Sequence, residues 1–238
     1  MLSWLFPSTC ELCGETADMT LCPACLQQLQ RIPTPICLHC GAPTAGLQSD
    51  PDRCPACAGL VRPFVLARQA LRQSDEAMQL IYAFKYHRAL HLAQPLANLL
   101  NELWEKTPHL CRHRDWVLVP VPVTSARLYS RGYNQAGELA RQLARMRGLR
   151  VLSLLMRRET GISSQTRLSA PARRLNAMRA YRLKPPGLLP RRRSYPPRLV
   201  LVDDVFTTGA TARACATQLR KLPGVREVAV LSLVRIGT

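Results

Sequence analysis

Two adjacent carboxylates followed by a turn dense in hydroxyls make the sharpest chemical signal in the chain: Val200-Leu201-Val202-Asp203-Asp204-Val205-Phe206-Thr207-Thr208-Gly209-Ala210-Thr211. The apolar residues before the acids read as a buried strand, and Ala212, Cys215, Ala216 and Leu219 after the turn mark one face of a helix. Unpaired N–H groups at the start of such a helix, together with its dipole, cradle phosphate. Gly209 lets the backbone come close, and Thr207, Thr208 and Thr211 add hydroxyl donors. Asp203 and Asp204 can accept hydrogen bonds from two neighbouring sugar hydroxyls or contact a hydrated cation. A phosphorylated sugar satisfies both halves of this motif.

A second chemistry lies at the other end. Eight of the ten cysteines fall in the first 57 residues as four C-x-x-C pairs, Cys10/Cys13, Cys22/Cys25, Cys37/Cys40 and Cys54/Cys57. Without an export signal this pattern argues for metal ligation rather than disulfides. A two-residue gap lets a tight knuckle aim both sulfurs at one ion, and closed four-cysteine sites are a usual home of structural Zn²⁺. Eight ligands suffice for two ions. Neighbouring pairs can share an ion, or the pairs can interleave; an iron–sulfur cluster is the less favoured metal. Pro23, Pro33, Pro35, Pro43, Pro51 and Pro55, with few large apolar residues, leave this segment without a core, so metal would supply its folding energy. His39 reads as a bystander between two ligands, Cys215 as a buried thiol and Cys111 as an exposed one.

These two ends need elements to position them. Beyond Cys57 the composition shifts, and the boundary falls near Leu60 to Pro63, giving a cysteine-rich double zinc module over 1–62 and an α/β unit over 63–238. Ser74, Asp75 and Glu76 signal a helix start with an apolar stripe of Ala77, Met78, Ile81, Tyr82 and Phe84, and a second helix is expected from about His91 to Trp104. Trp116 to Val121 reads as a buried strand, followed by a helix capped by Asn134 with Ala136, Leu139, Ala140, Leu143 and Ala144 on one face. Val228 to Val234 returns as a strand. Strands alternating with helices imply a mainly parallel sheet with ligands beyond the carboxyl ends of the strands. The polar, Arg-rich and Pro-rich stretch of about 157–197 reads as a mobile flap with a connector.

With 33 Lys and Arg against 15 Asp and Glu, the 238-residue chain carries a formal charge of +18 and should attract polyanions. No apolar run approaches the roughly 18–20 residues of a membrane span, so a cytoplasmic protein without membrane insertion is expected. Aromatic residues make up 5% of the chain, which argues against an extended stacking platform for single-stranded DNA.

The strand, paired acids and T-T-G-x-T turn resemble the phosphoribosyl pyrophosphate loop of type I phosphoribosyltransferases. The resemblance widens to the ComF family of competence-associated proteins on four further features: the cysteine-rich start; Phe84-Lys85-Tyr86; Val119-Pro120-Val121-Pro122 leading to Arg131-Gly132-Tyr133-Asn134-Gln135; and Gln165-Thr166-Arg167-Leu168 with Arg173, Arg174 and Asn176, ending near Ala180-Tyr181. It implies the type I phosphoribosyltransferase fold behind a zinc-ribbon-like module. Phosphoribosyl pyrophosphate with Mg²⁺ would be the ligand, bound by Asp203, Asp204, the turn from Thr207 through Ala210 to Thr211, Arg131 and Lys85, with residues 165–176 closing over it. If the chain turns over, Asp203 and Asp204 are the catalytic pair for displacement at the anomeric carbon. Thr207 stands where purine-salvage members carry a third carboxylate, which argues against that acceptor class. The family also implies a setting in DNA uptake, with single-stranded DNA or competence proteins as partners; the competing readings are a non-catalytic DNA-handling scaffold and a zinc module that recruits proteins.

Overall fold

The computed structural model describes residues 9–44, 54–158, 179–190 and 193–237. Its first helix, α1 (Pro23–Gln28), starts with proline inside a cysteine knuckle, where the missing N–H costs nothing. Strand β1 (Leu66–Arg72) follows, then α2 (Asp75–Tyr86), whose N-cap Ser74 accepts from the Ala77 amide at 3.3 Å. Ala77, Ile81 and Phe84 of the expected stripe are buried and Leu80 joins them, but Tyr82 turns outward. A short 3-10 turn over Leu90–Leu92 precedes α3 (Ala93–Glu105), so the second helix begins two residues later than expected. Next come α4 (Pro108–Cys111), β2 (Trp116–Pro120), α5 (Ser125–Arg131) and α6 (Gln135–Arg147), the last burying all five residues of its expected face.

Two short strands, β3 (Arg150–Val151) and β4 (Leu155–Arg157), are followed by β5 (Tyr181–Leu183), β6 (Arg198–Phe206), α7 (Ala210–Leu219) and β7 (Glu227–Arg235). The ends of the expected flap are therefore ordered: β4 and β5 pair antiparallel, with Arg157 opposite Tyr181. Gln165 through Asn176 lie outside the described residues. Strands β1, β7, β6, β2 and β3 form one sheet in that order, every pair parallel. The fold is α/β with a mainly parallel sheet and an amino-terminal zinc-ribbon-like module. Continuous apolar runs such as Leu199–Val202 suit β6, which is fully buried over those residues by α6 on one face and α7 on the other.

The cysteine-rich segment covers the sheet's outer edge. β1 is an edge strand, and its free amides are taken by that segment: Ala67 N–H donates to the His39 carbonyl at 2.6 Å and Arg72 N–H to the Gln30 carbonyl at 2.9 Å. Leu21 and Leu29 enter the main core beside α2 and α3. The segment thus borrows a core from the sheet, where the sequence suggested it had metal alone. Among the described residues no helix is long and apolar enough to cross a membrane.

Candidate ligand cleft and zinc centres

In this sheet β6 leads through α7 to β7 on one side, while β2 leads through α6 to β3 on the other. The crevice between the carboxyl ends of β6 and β2 is therefore a topological switch point, the place where open α/β sheets bind ligands. A cavity of about 250 Å³ lies there, walled by residues from α2, by Val121, Pro122 and Val123 just after β2, and by residues from α5, α6, β4, β5, the end of β6 and the turn into α7.

Asp203 and Asp204 stand on central strand β6, which runs on past them to Phe206 instead of ending at the acids. Asp204 Oδ2 pairs with Lys85 Nζ at 3.0 Å, and Asp203 Oδ1 accepts from the Asp204 amide at 2.9 Å. Burial and the charge of Asp204 push the Asp203 carboxyl up to about 8, against the opposing pull of Lys85, the Asp204 amide and Arg157. The turn then brings Gly209 into the left-handed region at φ 70°, which glycine tolerates best. A Cβ there would stand 2.7 Å from Phe206 Cζ, so both conformation and space demand glycine. No side chain caps α7, which leaves its N-terminus available to an anion. Thr207 and Thr211 line the cavity; Thr208 and Ala210 belong to the turn but not to the wall.

The opposite wall is cationic. Arg127 and Arg131 sit four residues apart on one face of α5, and Arg157 at the end of β4 completes a group of three. Arg131 donates to Gln135 Oε1 at 3.1 Å and lies 4.9 Å over the Tyr86 ring, while Arg157 lies 5.4 Å over the Tyr181 ring. Burial first, then the charges of Arg157 and Arg131, push the Arg127 guanidinium below its usual pKa. Among the described residues none of the three has a carboxylate within salt-bridge distance. Converging cations without a counter-charge form a ready anion site.

The segment Arg131–Gln135 locks this wall to Lys85. Tyr133 Oη donates to the Phe84 carbonyl at 2.6 Å and Gln135 Nε2 to the same oxygen at 3.4 Å, satisfying an end carbonyl of α2 one residue before Lys85. Asn134 holds the N-cap position of α6, as the sequence suggested, but its side chain does not cap: Nδ2 donates to the Val121 carbonyl at 3.0 Å, and Oδ1 is left buried without a partner at the cavity wall. Lys85, Arg131, Asp203, Asp204, Thr207 and Thr211 thus converge, joined by Arg157 of the Arg157-Arg158 pair and by Tyr181, whereas Arg127 was not singled out from the sequence. The i, i+4 spacing of Arg127 and Arg131 was the available signal for Arg127.

Beside the cleft, Tyr82 and Tyr86 are 56% and 57% exposed with ring centroids 4.9 Å apart, and His87 meets Tyr82 edge-on at 5.1 Å. They border an open hollow of about 680 Å³ that shares Lys85, Tyr86 and Val205 with the cleft region. A small stacking surface exists despite the low aromatic content.

The cysteines sort by neighbouring pairs: Cys10, Cys13, Cys22 and Cys25 form one cluster and Cys37, Cys40, Cys54 and Cys57 the other, with all sulfurs of a cluster within 4.8 Å of one another. Four thiolates about 2.3 Å from Zn²⁺ form a tetrahedron with edges of about 3.8 Å. Sulfur separations of 3.9 Å for Cys13–Cys22, 4.0 Å for Cys37–Cys57 and 3.7 Å for Cys40–Cys54 fit that figure, so two structural zinc ions suit the two clusters. Burial raises the Cys10 thiol, but amides of Cys13, Cys22 and Leu12 outweigh it and hold it at about 6, favouring the thiolate a metal needs. His39 stacks on Phe64, ring centroids 4.5 Å apart, and takes no place in its cluster. Cys215 is buried, and Cys111 is exposed with its thiol donating to the Trp104 carbonyl at 3.3 Å.

Residues 1–58 match the family model of the double zinc ribbon domain. Over nearly its whole length the chain is similar to curated bacterial proteins. It is 32% identical to Competence protein F of Haemophilus influenzae over 218 residues, 90% of each chain. It is 30% identical to the DNA utilization protein YhgH of Salmonella typhi over 236 residues, covering 96% of this chain and 97% of the relative. Competence protein ComFC of Streptococcus pneumoniae is 25% identical over 238 residues, 95% of this chain and 99% of the relative.

Proposed function

Since the chain belongs to the ComF family, whose curated members carry competence and DNA-utilization names, we propose that its cleft binds phosphoribosyl pyrophosphate with Mg²⁺ and works in the handling of incoming DNA. The observation that carries the ligand is charge geometry. Two carboxylates and an uncapped helix start face, across one cavity at the switch point, three arginines that have no salt-bridge partner among the described residues. The turn from Thr207 to Thr211 would hold the 5′-phosphate, Asp203 and Asp204 the ribose hydroxyls, and Arg127, Arg131 and Arg157 the pyrophosphate. Lys85, already paired with Asp204 at 3.0 Å, sets a positive charge beside the ribose-binding carboxylates. Mg²⁺, a hard cation that retains several waters, needs only one or two carboxylates and would neutralise the diphosphate.

Where an acceptor is present, these residues suit displacement at the anomeric carbon: the acceptor's electron pair forms the new bond as the bond to pyrophosphate breaks, and the arginines stabilise the departing charge. In this proposal residues 63–238 form the ligand-binding unit and 1–62 its zinc module. Thermal-shift titrations with phosphoribosyl pyrophosphate, ribose 5-phosphate and pyrophosphate, each with Mg²⁺, test the division of labour. The full ligand should stabilise most and each half less; equal shifts from all three would contradict a composite site.

A second reading has its own observation. The exposed Tyr82–Tyr86 pair beside Arg131 offers stacking and phosphate contacts for a single strand of DNA running past the cleft. Binding of a labelled oligothymidylate should weaken in Tyr82→Ala/Tyr86→Ala and with rising salt; unchanged affinity in the variant would remove the platform.

A further inference from the structure

Arg235 closes strand β7 inside the protein, 2% exposed. Its Nη1 donates to the Cys40 carbonyl at 2.9 Å and to Gln69 Oε1 at 3.3 Å, and its Nη2 lies 3.9 Å from Cys40 Sγ. Among the described residues no carboxylate pairs with it, and its Nε has no partner. A buried guanidinium needs a counter-charge. Four thiolates on one Zn²⁺ carry net negative charge, and Cys40 belongs to the second cluster.

The same guanidinium lies 5.2 Å over the Phe206 ring. Phe206, 4% exposed, is pinned through its carbonyl, which accepts from the Ile236 amide at 2.9 Å. Its ring is also the surface against which the Gly209 turn closes, the contact that leaves no room for a Cβ. One unbroken set of contacts therefore runs from Cys40 through Arg235 and Phe206 to the uncapped start of α7. The second knuckle is seated closely enough to transmit a shift, since a Cβ at Gly41 would stand 2.7 Å from the Ala67 carbonyl oxygen.

We propose that Arg235 is a positioning residue that couples zinc in the second knuckle to the phosphate-binding turn. With the zinc thiolates as its counter-ion the guanidinium stays over Phe206, and Phe206 holds the turn in its ligand-ready shape. Removal of that zinc leaves Arg235 without its counter-charge and loosens the turn. Because coupling between two binding sites is reciprocal, ligand on the turn also tightens the binding of the second zinc. The ligand half of this inference rests on the function proposed above; the zinc half does not.

The test follows zinc release from the full-length protein to a chromophoric chelator, alongside binding of phosphoribosyl pyrophosphate with Mg²⁺. The proteins compared are wild type, Arg235→Gln, Arg235→Lys and Phe206→Leu. Arg235→Gln should release one of its two zinc ions about tenfold faster and bind the ligand about tenfold more weakly, with part of both losses recovered in Arg235→Lys. Phe206→Leu should keep both ions at the wild-type rate yet bind ligand more weakly, which separates the turn from the metal even if Arg235→Gln folds poorly. Saturating ligand should slow release of one ion in wild type, less in Arg235→Lys and not in Arg235→Gln. Wild-type zinc release from Arg235→Gln would overturn the proposal, and so would unaltered ligand binding in both Arg235→Gln and Phe206→Leu. If wild type itself binds no ligand, the functional proposal fails, and zinc release still decides whether Arg235 depends on the zinc thiolates.

Discussion

The zinc module and the cleft both gather like charges, and they do so for opposite reasons. Eight thiols converge in two clusters that a resident metal neutralises, so the clustering holds the fold together. Two carboxylates and three guanidinium groups converge on the cleft with Lys85 as the only neutralising partner inside salt-bridge distance among the described residues. There the clustering weakens the empty protein and is relieved by a ligand. Removing charge should therefore destabilise the first region and stabilise the second.

The largest effect is expected in the second zinc cluster, whose four cysteines are all buried. Cys40→Ser should hold one zinc ion per chain and lose at least about 4 kcal/mol, equivalent to about 8–16 °C in Tm; metal analysis with thermal unfolding checks both. Cys13→Ser should cost less, about half, because Cys13 is exposed and Leu21 and Leu29 remain anchored in the main core. Equal losses would mean that the two knuckles carry the fold alike.

Asp203→Asn should reverse the sign. A carboxyl whose pKa is raised by folding binds its proton more tightly in the folded state. Its stability contribution is intact below about 4, the unfolded value, and is lost as pH rises toward about 8. Asparagine never ionises, so the variant's advantage should be absent near pH 4 and grow toward pH 8. The cleft is open to water, so about 1 kcal/mol is expected, a rise of about 2–4 °C in Tm. Thermal unfolding of the ligand-free proteins across that range reads it; a variant less stable at pH 8 would break the contrast.

The smallest effect is expected at the rim of the cleft, at the tyrosine pair. Tyr82→Ala/Tyr86→Ala should leave Tm within about 2 °C of wild type, while weakening oligothymidylate binding by about 1–3 kcal/mol per stacked base.

The same contrast explains what was legible in the sequence. Local patterns wrote the C-x-x-C pairs, the buried run Leu199–Val202, the capped start at Ser74 and the acid-and-threonine turn, because each depends on neighbours within a few residues. The sharing of ions by neighbouring pairs was not readable, since spacing alone permits interleaving. Tyr82 was read as part of a buried stripe, yet the face of α2 that packs is set by α3 and the sheet, and Tyr82 falls beyond it. Asn134 was read as a helix cap, and its amide is drawn instead to the Val121 carbonyl across the cleft floor. Arg157 and Tyr181 reach the cleft only because β4 pairs with β5, and Arg235 owes its place to a zinc cluster almost two hundred residues earlier. Contacts of such long range leave no periodic or spaced signature.

The claim that the cleft is a phosphoribosyl pyrophosphate site is tested most directly by calorimetric titration of that ligand with Mg²⁺ into wild type and into Asp203→Asn/Asp204→Asn. The account predicts a one-to-one heat of binding in wild type and at least about a hundredfold loss of affinity, roughly 2.7 kcal/mol, in the variant. Absence of binding to the wild-type protein, or equal binding by both proteins, would contradict it.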